Sequence, residues 1–401
     1  MEQPHPMGSP RTRPDAVGPH AGPAAEDAET AAAGRRDGRA DQRRPGRGIG
    51  PEATGGTAAG DLPPVVVAGG GIVGTAVAFV LQRSVPVVLV EEGDFPGLGE
   101  TRDAVGILKA SVGHPVLDAF AQCTWAFAVA QHRHPRSPLR LTFARLDGHP
   151  GRAAFVDHLL LLDAMYLAAR RAGLRLLTRT RVMAPVLAGD RVTGVRVARA
   201  GGGPQATRPA ADRPAGHPVE GWDDVVPASA LVLAPGPRPE SLAMDGLPRG
   251  FASRFVPVKD VVIPFRLPAT VETPPAVFTR RSLIWRFALG IEARTLLAAA
   301  RLEGDWSPPS FDELVALVED LVERFDLTGE AQLDRVRTLI DLRGPDGLPF
   351  VGAVAPWGGA RGLFVAAGFG LEGLSTALGA AHAIAAAVLA DLADRRLIPG
   401  R

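Results

Sequence analysis

Gly69, Gly71 and Gly74 stand in the spacing G-x-G-x-x-G, directly after a β-branched run, Val65 to Ala68, and just before a helical pattern, Thr75 to Gln82. In that context each glycine has its own physical task. Gly69 permits a tight turn, Gly71 lets a pyrophosphate approach the backbone, and Gly74 lets helix and strand pack closely. Ile72 and Val73 lie between them at the helix opening, where the positive end of the helix dipole favours phosphate charge. A second apolar run, Val85 to Val90, ends in Glu91, 22 residues after Gly69. A carboxylate so placed accepts hydrogen bonds from a ribose diol. The chemistry implied is dinucleotide binding; the alternative is a glycine-rich turn followed by an exposed Glu. The loop alone does not choose between dinucleotides.

The other reactive side chains are sparse. Cys123 is the only cysteine, which excludes an intrachain disulfide and a thiolate metal site and points to a reducing, cytoplasmic compartment. His114, His132 and His134 have no ligand-like spacing, so no metal is expected. His382 falls inside an alanine-rich helical pattern, where a satisfied helix residue is the plainer reading than a catalyst. The single tyrosine, Tyr166, lies on a predicted helix.

The elements that must position these groups read as an α/β protein. Asp157 to Ala172 has an amphipathic pattern, with Leu159, Leu160, Leu162, Met165 and Tyr166 on its apolar side and Gly173 at the C-cap position. A strand, Leu174 to Leu177, follows, then a hairpin-like pair, Val182 to Leu187 and Arg191 to Val197, turning at Gly189-Asp190. Residues 199 to 223 read as an exposed loop, Ala230 to Ala234 as a buried strand, and alternation between about 250 and 305 as antiparallel strands of a second domain. Phe311 to Phe325 predicts a helix, Gly362 to Gly368 a strand running into glycines, and Ser375 to Ala393 a long Ala/Leu helix.

Composition bounds the remainder. An apolar share of 46% supports a substantial core, and a net charge of +1 with no basic face argues against nucleic acid and anionic membrane surfaces as partners. No apolar run is expected to reach the roughly 18 residues of a membrane span. Residues 1 to about 60 are rich in Pro, Gly, Ala and Arg and nearly free of large apolar side chains, so a disordered tail is expected there. The pairs Arg35-Arg36 and Arg43-Arg44 lack a following apolar segment, which argues against an export signal. A start codon placed too far upstream is the alternative account of this tail.

From Val65 to the C-terminus the chain resembles the FAD-dependent family of D-amino acid oxidase, glycine oxidase, sarcosine oxidase and dimethylglycine dehydrogenase. Five segments carry the resemblance. They are the glycine loop to Glu91; Gly99 to Ile107, similar to a second flavin loop; Asp157 to Val182; Ala230 to Gly236; and Leu342 to Gly352 followed by Gly362 to Leu374. The last pair matches the family's Arg-Pro…Asp-Gly turn and the glycine-rich loop that opens its final helix. Such a helix presents its N-terminus to the flavin pyrimidine carbonyls.

The resemblance implies a Rossmann-like FAD-binding domain, residues 63–110, 152–240 and 335–401. It also implies a second, mixed-sheet substrate domain, residues 250–330 with 111–150. Beyond the first loop and Glu91, the implied cofactor contacts are Thr101, Arg102, Val182 (backbone, to adenine), Ala234, Gly236, Gly347, Gly368, Gly370, Leu371, Gly373 and Leu374. Asp103 stands where some relatives carry a flavin-linked histidine, so FAD is expected to be held non-covalently. Arg343 resembles the arginine that pairs with a substrate carboxylate, since a planar guanidinium offers two parallel bonds. The alternative is that it ties its turn to Asp341 or Asp346. The turn is about two residues shorter than the family's, with Gly344 in place of Pro.

Trp285 and Arg286 are candidates for the substrate face, against ordinary sheet positions. Lys259 is a candidate for oxygen activation or a base role, against a strand edge. The implied activity is oxidation of a C–N bond in a small amino acid or secondary amine, with oxygen or an electron carrier as acceptor. The active-site tyrosine that some family members use is expected to have no counterpart here. Two alternatives stay open: a 2-hydroxy acid oxidase or dehydrogenase, and a non-catalytic flavin-binding subunit of an oligomeric dehydrogenase. Either a homo- or a hetero-oligomer is compatible with the sequence.

Overall fold

Three valines in a row, Val65, Val66 and Val67, are completely buried. They form strand β1 (Val65–Ala68), near the centre of a six-stranded sheet. Burial on both faces is the reason a parallel strand reads as an unbroken apolar run rather than an alternation. A computed structural model describes residues 62–144, 151–200, 224–266, 277–281, 284–290, 295–303, 310–312, 314–316, 318–319, 332–333, 337–344 and 346–397. The expected N-terminal tail and most of the expected 199–223 loop lie outside them. So does part of the expected helix from residue 311, which is helical at its described positions up to 319.

In chain order, β1 is followed by α1 (Ile72–Leu81), β2 (Val87–Val90), α2 (Glu100–Asp103), β3 (Ile107–Lys109), α3 (Pro115–Arg133), β4 (Leu141–Ala144) and β5 (Ala153–Val156). Next come α4 (His158–Arg171), β6 (Arg175–Leu177), β7 (Thr180–Ala188), β8 (Arg191–Arg199), β9 (Asp224–Pro227) and β10 (Ala230–Leu233). The second half holds β11 (Val256–Arg266), β12 (Val277–Arg281), β13 (Ile284–Gly290), β14 (Thr295–Glu303), β15 (Gln332–Leu333), β16 (Arg337–Arg343), β17 (Phe350–Ala353) and β18 (Leu363–Ala367). A final helix, α5 (Gly373–Leu397), ends the described chain.

The first sheet runs β17-β18-β10-β1-β2-β6, parallel except for the edge strand β17. Its strands come from three separated stretches of the chain. Alternate residues feed two cores. Val65, Val67, Val87, Leu89, Val232 and Phe364 pack with residues of α1, α3, α4 and α5. Val66, Val88, Val90, Leu231, Leu233 and Val365 pack with Val192, Val195 and Val197 of the antiparallel sheet β7-β8-β9. The result is three layers: helices, parallel sheet, small antiparallel sheet. Each fully buried valine contributes about 1.5–3 kcal/mol over exposure, so the three of β1 anchor the structure.

A second antiparallel sheet, β12-β13-β14-β11 with β15 and β16 on the far side of β11, matches the alternation read between residues 250 and 305. A third antiparallel sheet, β3-β5-β4, adds Leu108, Leu141, Ala154 and Val156 to the helical core.

Local chemistry sets the boundaries. The Asp157 carboxylate caps α4 by accepting from the amides of Leu159 and Leu160, both at 3.0 Å. Gly173, at φ +97°, ends that helix as expected. β2 starts at Val87 rather than Val85 because the Val85 amide still donates to Leu81 at the end of α1, and Pro86 has no amide to give. Nothing in the sequence reading anticipated α3. It packs against α5 so closely that a Cβ on Gly379 would stand 2.1 Å from the Phe120 Cα. The expectation of no span-length apolar run needs correction: α5 is long and apolar enough to cross a membrane. Its apolar length is spent in the interior, where Ala377, Ala381, Ile384 and Val388 are fully buried.

Candidate functional site

The loop from β1 to α1 has the geometry that its glycines predict. Gly69 sits at φ +104°, and a Cβ there would lie 2.1 Å from the Ala234 carbonyl oxygen at the end of β10. A Cβ on Gly74 would lie 1.9 Å from the Gly69 carbonyl oxygen, so only glycine lets α1 approach the strand. Above Gly71 the space is open, the one near atom being Thr101 Oγ1 at 3.4 Å from an added Cβ. Gly71 is the N-cap of α1 and supplies no side-chain cap. The helix therefore presents its first-turn amides, which is how a pyrophosphate is held. One of them, Ile72 N–H, donates to Thr101 Oγ1 at 3.0 Å, which pins the second loop to this helix end. Val73 turns the other way, against the helical core.

Glu91 occupies the expected end of β2, but it also braces the loop. Its Oε2 accepts from Gly70 N–H and its Oε1 from Gly93 N–H, both at 2.7 Å. Each oxygen keeps a further lone pair, enough for a ribose diol. Burial pushes its pKa above the usual carboxylate value, and the two amide bonds offset this only in part. The neighbouring Glu92 shifts the other way. Burial alone would raise it, yet the Arg181 hydrogen bonds at 2.6 and 3.2 Å and the charge of Arg238 hold it below the ordinary value. Arg238 also donates directly to Glu92. Neither arginine, nor the triad they form, was read from the sequence.

The remaining predicted contacts fall on the same rim or at its far end. Val182 is on β7, and a register shift between Val182 and Ala184 leaves Met183 outside the ladder. A bulge of this kind disturbs regular backbone pairing where a base edge is expected to bind. Ala234 donates its amide to Ala68 at 2.8 Å, and Gly236, at φ +61°, turns the chain away with no atom near an added Cβ. The side chain of Arg102 is exposed and bonded to Asp103.

At the other end of the site, β16 enters a turn in which a Cβ on Gly344 would lie 1.8 Å from the Leu348 carbonyl oxygen. Gly347 takes φ +78° and Gly368 φ +80°, the latter wedged between the Phe255 ring and the Gly344 amide. Gly370 opens a single 3-10 turn to Glu372, and α5 begins at Gly373. A cavity joins these parts. Ile72 and Thr101 line it on one side, and Gly370, Leu371, Gly373 and Leu374 on the other. Three charged residues that the sequence reading did not assign to the site, Glu100, Lys109 and Asp341, share its wall.

Arg343 forms an isolated bridge with Phe369. Its guanidinium atoms come within 3.6 to 3.8 Å of where a Gly347 Cβ would stand, so it folds over its own turn. Among the described residues no ion pair joins it to Asp341 or Asp346. It is absent from the lining of the cavity, whereas Asp341, two residues earlier on β16, is present. Trp285 and Arg286 fall on β13, with Arg286 opposite Ala300 and Thr279; their side chains, like that of Lys259 on β11, lie outside the described residues.

Cys123 bonds within α3 to the Ala119 carbonyl, Tyr166 packs on the helical core, and His382 is exposed on α5. No group of residues able to hold a metal occurs among the described residues. A larger groove, about 840 Å³, is lined by Asp94, Arg175, Arg179 and Arg199 and by none of the predicted cofactor contacts.

The comparisons agree with this architecture. The glycine oxidase of Geobacillus kaustophilus superposes with a TM-score of 0.61 at 20% identity, covering 81% of this chain and 94% of its own. The L-proline dehydrogenase of P. horikoshii gives 0.62 at 14% identity, covering 81% and 92%. The iminodiacetate oxidase of Chelativorans sp. BNC1 gives 0.59 at 18%, covering 81% and 95%. At these identities the likeness establishes the fold. No curated protein sequence matches. A model of the family described as "FAD dependent oxidoreductase" (DAO) matches residues 64–134 and 148–387. With the open space above Gly71 and the close-packed Gly69 and Gly74 of its cofactor loop, the chain belongs to this family of FAD-dependent oxidoreductases.

Proposed function

We propose that this enzyme oxidises a C–N bond in a small amino acid or secondary amine, with FAD held non-covalently. One observation carries the reading: a single cavity is walled by the cofactor loop, by the Thr101 loop, by the opening of α5 and by strand β16 of the antiparallel sheet. A ring bound there meets a wall from the sheet expected to cover the substrate. The three similar structures are named for glycine, L-proline and iminodiacetate, each an amine that carries a carboxylate.

In this reading residues 63–110, 152–240 and 346–401 hold the cofactor, and the antiparallel sheet within 250–330 covers the substrate together with β16; α3, expected with the substrate domain, packs instead in the helical core with α1 and α5. The amides at the start of α1 bind the pyrophosphate and Glu91 binds the ribose hydroxyls. Gly71 keeps that cradle free of side chains, and Gly69 and Gly74 let β10 and α1 close against the loop. When bound, FAD supplies the hydride acceptor. The protein's part is to hold the substrate carbon in place and exclude water. Arg343 is the candidate for the carboxylate. It lies on the strand that delivers Asp341 to the cavity and makes no ion pair among the described residues. Oxygen or an electron carrier then reoxidises the cofactor, and the cytoplasm is the proposed compartment.

The test is an anaerobic panel of glycine, sarcosine, proline, D-amino acids and 2-hydroxy acids against the purified yellow protein. Bleaching by an amine supports the reading. Bleaching by 2-hydroxy acids alone moves the substrate to that class, and bleaching by none favours a non-catalytic subunit. Arg343→Ala is expected to raise KM for a carboxylate substrate roughly tenfold or more. An unchanged KM removes Arg343 from the site.

A further inference from the structure

Lys109 is one of two lysines in a chain whose lysines and arginines total 44. It ends β3, its side chain is 13% exposed, and its Nζ is ion-paired with Oε1 of Glu372, in the turn before α5. Both partners are fixed by further bonds. The Lys109 amide donates to Ser375 Oγ at 3.1 Å, and Thr376 Oγ1 donates to the Glu372 carbonyl at 2.7 Å.

The pair is lopsided in two ways. Lys109 lines the cavity and Glu372 does not, which puts the lysine of the pair, and not the glutamate, on the cavity wall. The second carboxylate oxygen, Oε2 of Glu372, is buried with no hydrogen-bond partner among the described residues. Drawing two charges largely out of water is costly, and a pair that leaves an oxygen unsatisfied recovers that cost poorly. Stability alone is a weak reason for such an arrangement. A fixed cation facing a cavity has a stronger use, which is to stabilise negative charge that develops inside it. The other charged residues in the described wall, Glu100 and Asp341, are acidic, which leaves Lys109 as its only cation among the described residues.

We infer that Lys109 is the electrostatic partner of the reduced flavin, its ammonium stabilising the negative charge that the ring gains on reduction, with Glu372 as the positioning residue that holds the ammonium and moderates its field. The inference rests on the proposed placement of the flavin ring in this cavity. Lys109 makes and breaks no bond in the reaction; it biases the equilibrium between the oxidised and reduced cofactor.

The experiment compares the midpoint potential and FAD content of the purified holoprotein with those of Lys109→Met, Lys109→Arg and Glu372→Gln. Lys109→Met is expected to disfavour the reduced form on the order of tenfold, about 30 mV downward for a two-electron couple. Glu372→Gln removes the opposing charge and is expected to shift the potential upward, while Lys109→Arg stays near the parent value. A pair serving stability alone gives no such opposite signs. Potentials unmoved in both charge-removing variants, or moved in the same direction, overturn the assignment while the flavin site stands. If Lys109→Met does not fold, Glu372→Gln decides by itself: a rise supports the inference, and no change or a fall overturns it. A parent protein that takes up no FAD overturns the flavin site and this inference together.

Discussion

Single residues carry two of the strongest expectations for this molecule. A methyl group on Gly74 would lie 1.9 Å from the Gly69 carbonyl oxygen, and neither group belongs to a flexible side chain that can step aside. Gly74→Ala is therefore expected to cost about 1–3 kcal/mol, although alanine is the better helix former, and to weaken FAD binding. Melting and flavin retention would check this, and an unchanged pair of values would contradict the close packing. Glu92 gives a pH signature. Its folded pKa lies below the ordinary value because Arg181 and Arg238 outweigh burial. Its ionised form thus adds stability above the unfolded pKa, and that stability is lost as pH falls through the lowered folded value. Glu92→Gln should lower the melting temperature at neutral pH, and the gap to the parent should close below about pH 4. Glu91 has the opposite sign. Its raised pKa marks a cost at neutral pH that is relieved on acidification, so the two adjacent carboxylates pull the acid limb in different directions.

At the scale of elements, α4 owes its start to one side chain. Removing the Asp157 cap is expected to cost about 1 kcal/mol. Asp157→Asn should recover most of it, since an amide oxygen can still accept from Leu159 and Leu160; equal melting of all three proteins would count against the cap. The start of this helix at Asp157 was legible from the sequence because it is local, as were the glycine spacing, the strand before it and the Glu91 end of β2. The unread features are those made by topology. Lys109 sits on a three-residue strand with no periodicity to mark it, and its partner Glu372 is 263 residues away. Asp341 was weighed as a tie for Arg343. The fold instead turns Asp341 to the cavity and folds the Arg343 guanidinium over Gly347. α3 was missed because its sequence, from Pro115 to Arg133, scatters polar residues through the apolar ones, and only the close seat against α5 gives it a buried face.

For the whole molecule, the cofactor cradle is not a segment but a meeting of distant ones. β1 pairs with β10 at residues 230–233, β10 pairs with β18 at 363–365, and the Ala234 carbonyl closes over Gly69. A chain emerging from the ribosome displays its glycine loop early, yet β10 and the Ala234 carbonyl that close over it come later, and β18 and α5 later still. Until then an apolar β1 lacks half of its partners, and exposed strands of this kind favour misassembly. Productive maturation, and with it cofactor capture, is thereby postponed until β10, β18 and α5 have all been made.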